Sequence, residues 1–229
     1  MRIVSLVPSV TETLLAWGVQ PVAVTRFCEQ PDFPTVGGTK DPDIGAIVAL
    51  APDLVVVNDE ENRRPDHDAL VAAGLEVHVT HVESVADVAP MLDALAIALG
   101  RRDLRRPAST IASERGDQPA RRAFVPIWRR PWMTLNADTY GASVLDALGI
   151  VGIFADAADR YPTVELDEVA ARRPDLVILP SEPYPFARRH VAELRSVAVD
   201  VRLVDGRDLF WWGVRTPDAL ARLGQVLSP

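Results

Sequence analysis

The sequence predicts an α/β protein of two similar lobes, and three observations carry that prediction. Short β-branched runs alternate with helical patterns, the arrangement that builds βαβ units and parallel sheets. One segment occurs twice: Ile47-Val48-Ala49-Leu50-Ala51-Pro52-Asp53-Leu54-Val55-Val56-Val57 is echoed by Val169-Ala170-Ala171-Arg172-Arg173-Pro174-Asp175-Leu176-Val177-Ile178-Leu179. A further likeness precedes it in the same order, Leu14-Leu15-Ala16-Trp17-Gly18-Val19 against Leu145-Asp146-Ala147-Leu148-Gly149-Ile150. Two halves built this way imply a cleft between them, and a ligand is expected there.

The first lobe, 1–83, reads as strand 2–7, helix 10–17, strand 22–25, helix 43–50, strand 54–57, helix 66–73 and strand 76–80. Ser9 followed by Glu12 predicts a capping box at the start of the first helix, and Gly18 its stop. A connector, 84–122, carries an amphipathic pattern over 85–99 and then Arg101-Arg102-Asp103-Leu104-Arg105-Arg106, read as a solvated helix face. Pro107 opens a second connector helix to about Arg115, and Gly116 to Pro119 a break. The second lobe, 123–229, reads as strand 123–127, helix 139–148, strand 151–154, helix 165–172, strand 176–179, helix 186–195, strand 201–204 and helix 216–227.

Composition removes several function classes. A net charge of −8 lacks the basic footprint of a nucleic-acid binder. No apolar run is long enough for a membrane span, so no membrane insertion is expected. Cys28 is the single cysteine, which excludes an intrachain disulfide and a cysteine-based zinc site. His67, His78, His81 and His190 show no metal-ligand spacing, leaving direct metal binding undefined. Met1-Arg2 leads straight into a strand-length run rather than a secretory signal. The chain is therefore expected in the cytoplasm, or outside it only if a leader has been removed. Gly37-Gly38-Thr39-Lys40 lacks the order of a phosphate loop, and no nucleophile-elbow or zincin motif is present. No enzyme is expected and no cofactor required.

Ligands bind at the C-terminal ends of parallel strands. The loops expected there hold Phe27 and Glu29, then Asn58 with the acidic run Asp59-Glu60-Glu61, in the first lobe. In the second they hold Trp128, Arg129, Trp132, Tyr161, Glu182, Tyr184, Asp208, Phe210, Trp211 and Trp212. Aromatics concentrated at one rim favour a platform for a large flat or amphipathic ligand, because rings supply contact area at low entropic cost. Two other readings stay open. The acidic residues could serve an enzyme as acid/base groups or metal ligands, or the aromatics could dock a protein partner in a regulatory or carrier module.

Ile3-Val4-Ser5-Leu6-Val7-Pro8-Ser9-Val10-Thr11-Glu12-Thr13, Val24-Thr25-Arg26-Phe27-Cys28, Val36-Gly37-Gly38-Thr39 and Ala49-Leu50-Ala51-Pro52-Asp53-Leu54-Val55 together resemble the cobalamin- and siderophore-type solute-binding proteins of ABC importers, also called helical-backbone metal receptors. The resemblance spans nearly the whole chain. It implies a class III periplasmic-binding-protein-like fold, two three-layer lobes joined by a rigid helix. It also implies a corrinoid, metal chelate or similar compact ligand held with little lobe closure. By position, Phe27 and Tyr161 match corrin-contacting aromatics of the two lobes, Trp132 lies close to another, and Asp208 matches a ligand-contacting Asp before an aromatic pair. Asn58 stands where the cobalamin binders carry Trp, and Gly38-Thr39 replaces a further contact. Importer-associated members carry a Glu ahead of each Pro-Asp turn that pairs with permease arginines. The second lobe offers Asp167 and Glu168 there, but the first has Gly45, which weakens the expectation of an ABC permease partner.

Overall fold

The computed structural model describes residues 1–104, 120–198 and 200–228. The helix expected from Pro107, the break after it, and Arg105 and Arg106 lie outside them. The chain forms two compact units. The first contains Met1–Val82, the helical residues from Asp87, and Trp212–Val214; the second contains Glu83–Ala86, the chain up to Trp211, and Arg215 onward.

The first unit runs β1 (Ile3–Ser5), α1 (Pro8–Ala16), β2 (Ala23–Val24), a 3-10 turn at Arg26–Cys28, α2 (Ile44–Ala49), β3 (Leu54–Asn58), α3 (Arg64–Ala72) and β4 (Val77–Thr80), with α4 (Val85–Ala98) following. Its four strands form a sheet in the order β2-β1-β3-β4, all parallel. The second unit contains β5 (Arg121–Phe124), β6 (Trp132–Met133), α5 (Tyr140–Ala147), β7 (Ile150–Gly152), β8 (Thr163–Val164), α6 (Leu166–Ala171) and β9 (Leu176–Pro180). Then come α7 (Arg188–Leu194), β10 (Asp200–Val204), α8 (Gly206–Phe210) and α9 (Thr216–Leu227). Its sheet, β10-β9-β5-β7, is again all parallel. The two sheets have one topology, with β1, β2, β3 and β4 answering to β5, β7, β9 and β10. The α/β fold of two parallel-sheet units expected from the sequence is the fold observed.

The repeated Pro-Asp turn has a mechanical explanation. In the first unit Asp53 Oδ2 accepts the backbone N–H of Arg2 at 2.6 Å, while the Asp53 N–H donates to the Arg2 carbonyl at 2.8 Å. In the second, Asp175 Oδ2 accepts from Arg122 N–H at 2.7 Å and its own N–H donates to the Arg122 carbonyl at 2.8 Å. Each aspartate thus pins the entry of β3 or β9 to that of the central strand, β1 or β5. The chain turns into this clasp through a left-handed residue, Ala51 (φ 43°) or Arg173 (φ 50°). Asp53→Ala and Asp175→Ala are each expected to cost about 1 kcal/mol, because a charge-assisted bond is lost at an exposed site. Urea unfolding of each variant, with an unchanged m-value, checks this.

The strands after the clasps are buried along their whole length, Leu54–Asn58 and Leu176–Pro180, which is why both read as unbroken apolar runs. Val4, Leu6, Val55 and Val57 pack with Ile47 of α2 and Leu70 of α3 in the first core. Phe124, Val177 and Leu179 pack with Ile153, Phe154 and Leu194 in the second.

Several boundaries differ from the sequence reading. α1 starts at Pro8 with Val7 as its N-cap and no side-chain cap, so the Ser9–Glu12 capping box is not formed. Proline is preorganised for the first helical turn, and it moves the start upstream, leaving Ser9 inside the helix and buried. Gly18 and Gly149 do stop their helices, each with a left-handed φ of about 70°. The loop expected at Asp208–Trp212 is in part the helix α8, capped by Asp205, whose carboxylate accepts from Arg207 N–H at 3.0 Å. The antiparallel pair β6-β8 was not anticipated, since two-residue strands carry no alternation.

Candidate functional site

Each unit carries a candidate binding surface where its parallel strands end, and each is built from the loops that follow them. In the first unit the 3-10 turn after β2 places Phe27 half exposed (49%) with Cys28 buried beneath it. The Cys28 thiol lies 3.2 Å from both Thr11 Oγ1 and Thr25 Oγ1. Burial raises its pKa, which makes it a packed structural thiol rather than a nucleophile. Glu29 follows in a left-handed conformation (φ 53°) and is exposed.

After β3, Asn58 organises the acidic loop. Its Nδ2 donates to the Thr80 carbonyl at 3.2 Å, and its Oδ1 accepts the N–H groups of Glu60 and Glu61 at 3.0 and 3.1 Å. With 4% exposure it has no surface to give a ligand. Asn58 is therefore corrected from a ligand contact to a loop-forming residue. Asn62, which the sequence reading passed over, completes the loop by donating to the carbonyls of Thr39 and Leu6 at 2.9 and 3.3 Å. Glu60 is exposed and Glu61 half-buried, and the Glu60 carbonyl accepts from Lys40 Nζ at 2.6 Å.

The second unit gathers its aromatics into one cluster. The turn after β5 projects Trp128, 45% exposed, edge-on to Tyr184 at 5.6 Å between ring centroids. Tyr184 leans on Phe186 at 4.7 Å, and Phe186 stacks parallel to Trp132 at 6.0 Å. Phe186 is buried in the core, so the half-exposed members stand on a rigid base. Arg129 lies 5.8 Å over the Trp132 ring, and its guanidinium makes two 3.1 Å hydrogen bonds to Glu193. Arg129 thus lies over Trp132 and pairs with a carboxylate of its own unit. Tyr161, 39% exposed, lies in the loop ahead of β8.

His190 supports the same cluster from α7. It packs edge-on to Tyr184 and Phe186 at 5.7 and 5.4 Å, and its Nδ1 accepts the Ala187 N–H at 3.0 Å, which places the neutral ring's proton on Nε2. Burial, reinforced by Arg189 and Arg129 and partly offset by Glu193, holds its pKa below the ordinary 6.5. The folded protein therefore binds fewer protons here than the unfolded chain between that lowered value and 6.5. Stability is expected to fall as pH drops from about 6.5 through this window and to level off below it. Denaturation midpoints at a series of pH values check this, with a flatter profile expected for His190→Asn.

The α8 region departs most from expectation. Asp208, expected to face ligand, is buried, with Arg222 donating to its two oxygens at 2.8 and 2.7 Å and Arg215 in ion-pair contact at 3.3 Å. It joins α8 to α9 and is corrected to a structural ion pair. The Trp211 ring has two guanidinium carbons near it, those of Arg207 at 5.3 Å and Arg215 at 5.5 Å. Phe210 is half-buried against Gly141, where a side-chain carbon would come within 2.8 Å of the ring. Trp212 is 3% exposed and belongs with the first unit, so it is corrected from an open wall of the second. Glu182 packs on Gly206, where a side-chain carbon would meet its Cγ at 2.5 Å.

Away from these surfaces, Asp167 and Glu168 are exposed in the first turn of α6, with Glu168 pairing to Arg172 at 3.2 Å. Gly45 is exposed in α2. Among the described residues no group of three His, Cys, Asp or Glu side chains is placed to hold a metal ion, and no helix is long and apolar enough to cross a membrane.

A family model described as periplasmic binding protein matches residues 3–182. The vitamin B12-binding protein of Vibrio cholerae serotype O1 (strain M66-2) is 26% identical, over 99% of this chain and 88% of its own length. That of Salmonella choleraesuis (strain SC-B67) is 25% identical, over 78% of this chain and 71% of its own. Among solved structures, the periplasmic vitamin B12 binding protein BtuF of Vibrio cholerae superposes with a TM-score of 0.81 at 22% identity, covering 99% of this chain and 96% of that one. The periplasmic heme-binding protein RhuT from Roseiflexus sp. RS-1 gives 0.83 at 20% identity, covering 98% and 97%. At these identities the structural likeness establishes the fold.

Proposed function

This chain belongs to the periplasmic binding protein family, and we propose that it binds a metal-bearing tetrapyrrole-type macrocycle, a corrinoid or a heme, through its aromatic surfaces. The family is one of binding proteins rather than enzymes, in keeping with the sequence reading. The observation that carries the proposal is the Trp128–Tyr184 pair, with Trp128 45% exposed and the pair backed by buried Phe186 and stacked Trp132. Rigid rings presented on a packed base suit a large flat ligand, because little side-chain freedom is lost on binding. Relatives bearing the names vitamin B12-binding and heme-binding protein support a ligand of this class.

The polar groups sharpen the reading. Asn58 and Asp208 are buried in hydrogen bonds within their own units, so this reading puts recognition on the rings. Delivery to a permease, where it occurs, would use Asp167 and Glu168 of the second unit, since Gly45 offers no charge in the first. Thermal unfolding against a panel of corrinoids and iron or heme chelates tests the proposal. A ligand that binds only the folded state raises the transition temperature, and no shift across the panel would refute it.

A further inference from the structure

An aromatic ring on a short exposed turn would ordinarily be free to rotate, yet Phe27 carries a guanidinium over its ring and sits on a turn anchored at both ends. The Arg26 guanidinium carbon lies 4.8 Å from the centroid of its ring. Arg26 is in turn fixed by Asp41, with Nη2 donating to both carboxylate oxygens at 2.9 and 3.0 Å. Its backbone N–H donates to the Gly37 carbonyl at 2.9 Å, which ties the turn to the loop carrying Asp41. At the other end of the turn, Cys28 is packed between Thr11 and Thr25.

Gly38 makes the arrangement sterically possible. A side-chain carbon there would lie 2.4 Å from Asp41 Oδ1 and 2.8 Å from Arg26 Cζ, so any other residue displaces the pair. The pair itself is too solvated to matter much for folding, with side chains 51% and 62% exposed. A sterically reserved ion pair that adds little stability calls for another role.

We propose that Arg26 and Asp41 are positioning residues for Phe27. A guanidinium held by Asp41 covers one face of the ring, fixes its orientation before ligand arrives and leaves the opposite face for contact. The inference rests on the reading that Phe27 meets the ligand, and it adds two residues and a glycine that act through that ring. Orientation set in advance removes an ordering cost that binding would otherwise carry.

The test is an equilibrium titration with hemin and with cyanocobalamin on the full chain, for wild type, Asp41→Asn, Gly38→Ala, Phe27→Ala and the Asp41→Asn/Phe27→Ala double variant, each with its melting temperature. For the probe that binds, Asp41→Asn and Gly38→Ala are expected to raise Kd about 2- to 10-fold. Asp41→Asn should leave the melting temperature near wild type. The double variant should bind no more weakly than Phe27→Ala alone, because the pair acts only through the ring. An unchanged Kd in Asp41→Asn, or an effect that adds in full to that of Phe27→Ala, overturns the positioning role while leaving Phe27 as a contact. An unchanged Kd in Phe27→Ala overturns the contact itself and the inference with it.

Discussion

Asp208→Ala is expected to destabilise the protein by about 3 kcal/mol. The carboxylate is 7% exposed and faces two guanidinium groups, those of Arg222 and Arg215. Removing one partner of a buried ion pair typically costs about 3–5 kcal/mol, since the remaining charge loses its compensation. The lower end applies because Arg222 is 51% exposed and regains water, whereas Arg215 is 15% exposed. The Asp208 hydrogen bond also holds the Arg222 pKa above its ordinary value. Asp208→Asn preserves volume and removes the charge, so it should reproduce most of the loss. Guanidinium unfolding of both variants reads the effect. A change below 1 kcal/mol in Asp208→Ala would show that this cluster does not join α8 to α9 as described.

Trp128→Ala should have the largest effect on binding and little on folding. The side chain is nearly half exposed, and its partner Tyr184 keeps its contacts with Phe186 and His190 when Trp128 is removed. Truncating an aromatic anchor of this kind costs about 2 kcal/mol, or roughly thirty-fold in Kd. Tyr184→Phe retains the ring stack and should bind within a few-fold of wild type. The contrast between these two variants separates a ring-contact surface from a hydroxyl-directed one.

The frame was legible because its signals are local. β3 and β9 are buried on both faces and read as unbroken apolar runs, and the Pro-Asp turns recur because each aspartate makes the same clasp to the same kind of neighbouring strand. Helix stops at Gly18 and Gly149 follow from one residue type in one conformation. What escaped was decided by competition or by distance along the chain. Pro8 outcompeted Ser9 for the start of α1, and the five residues of α8 were too few to show a period.

The exposed loop rings of the candidate surfaces were legible in the sequence, and the hydrogen bonds and ion pairs that engage the neighbouring polar groups were not. Asp208 meets Arg222 across 14 positions and Asn58 meets Thr80 across 22, separations at which no spacing rule operates. Phe27, Trp128 and Tyr161 stand exposed in turns and loops, where large rings leave a direct mark on the sequence. Arg26, Asp41 and Gly38 were missed as a group, because their significance lies in a contact that forms only when two loops meet.

The most direct test of the account is an equilibrium titration of the purified chain with hemin and with cyanocobalamin, followed by visible absorbance with Trp128→Ala in parallel. The account predicts saturable binding of at least one of the two macrocycles, weakened roughly thirty-fold in the variant. Failure of both to bind the wild-type chain, or equal affinity in Trp128→Ala, would contradict it.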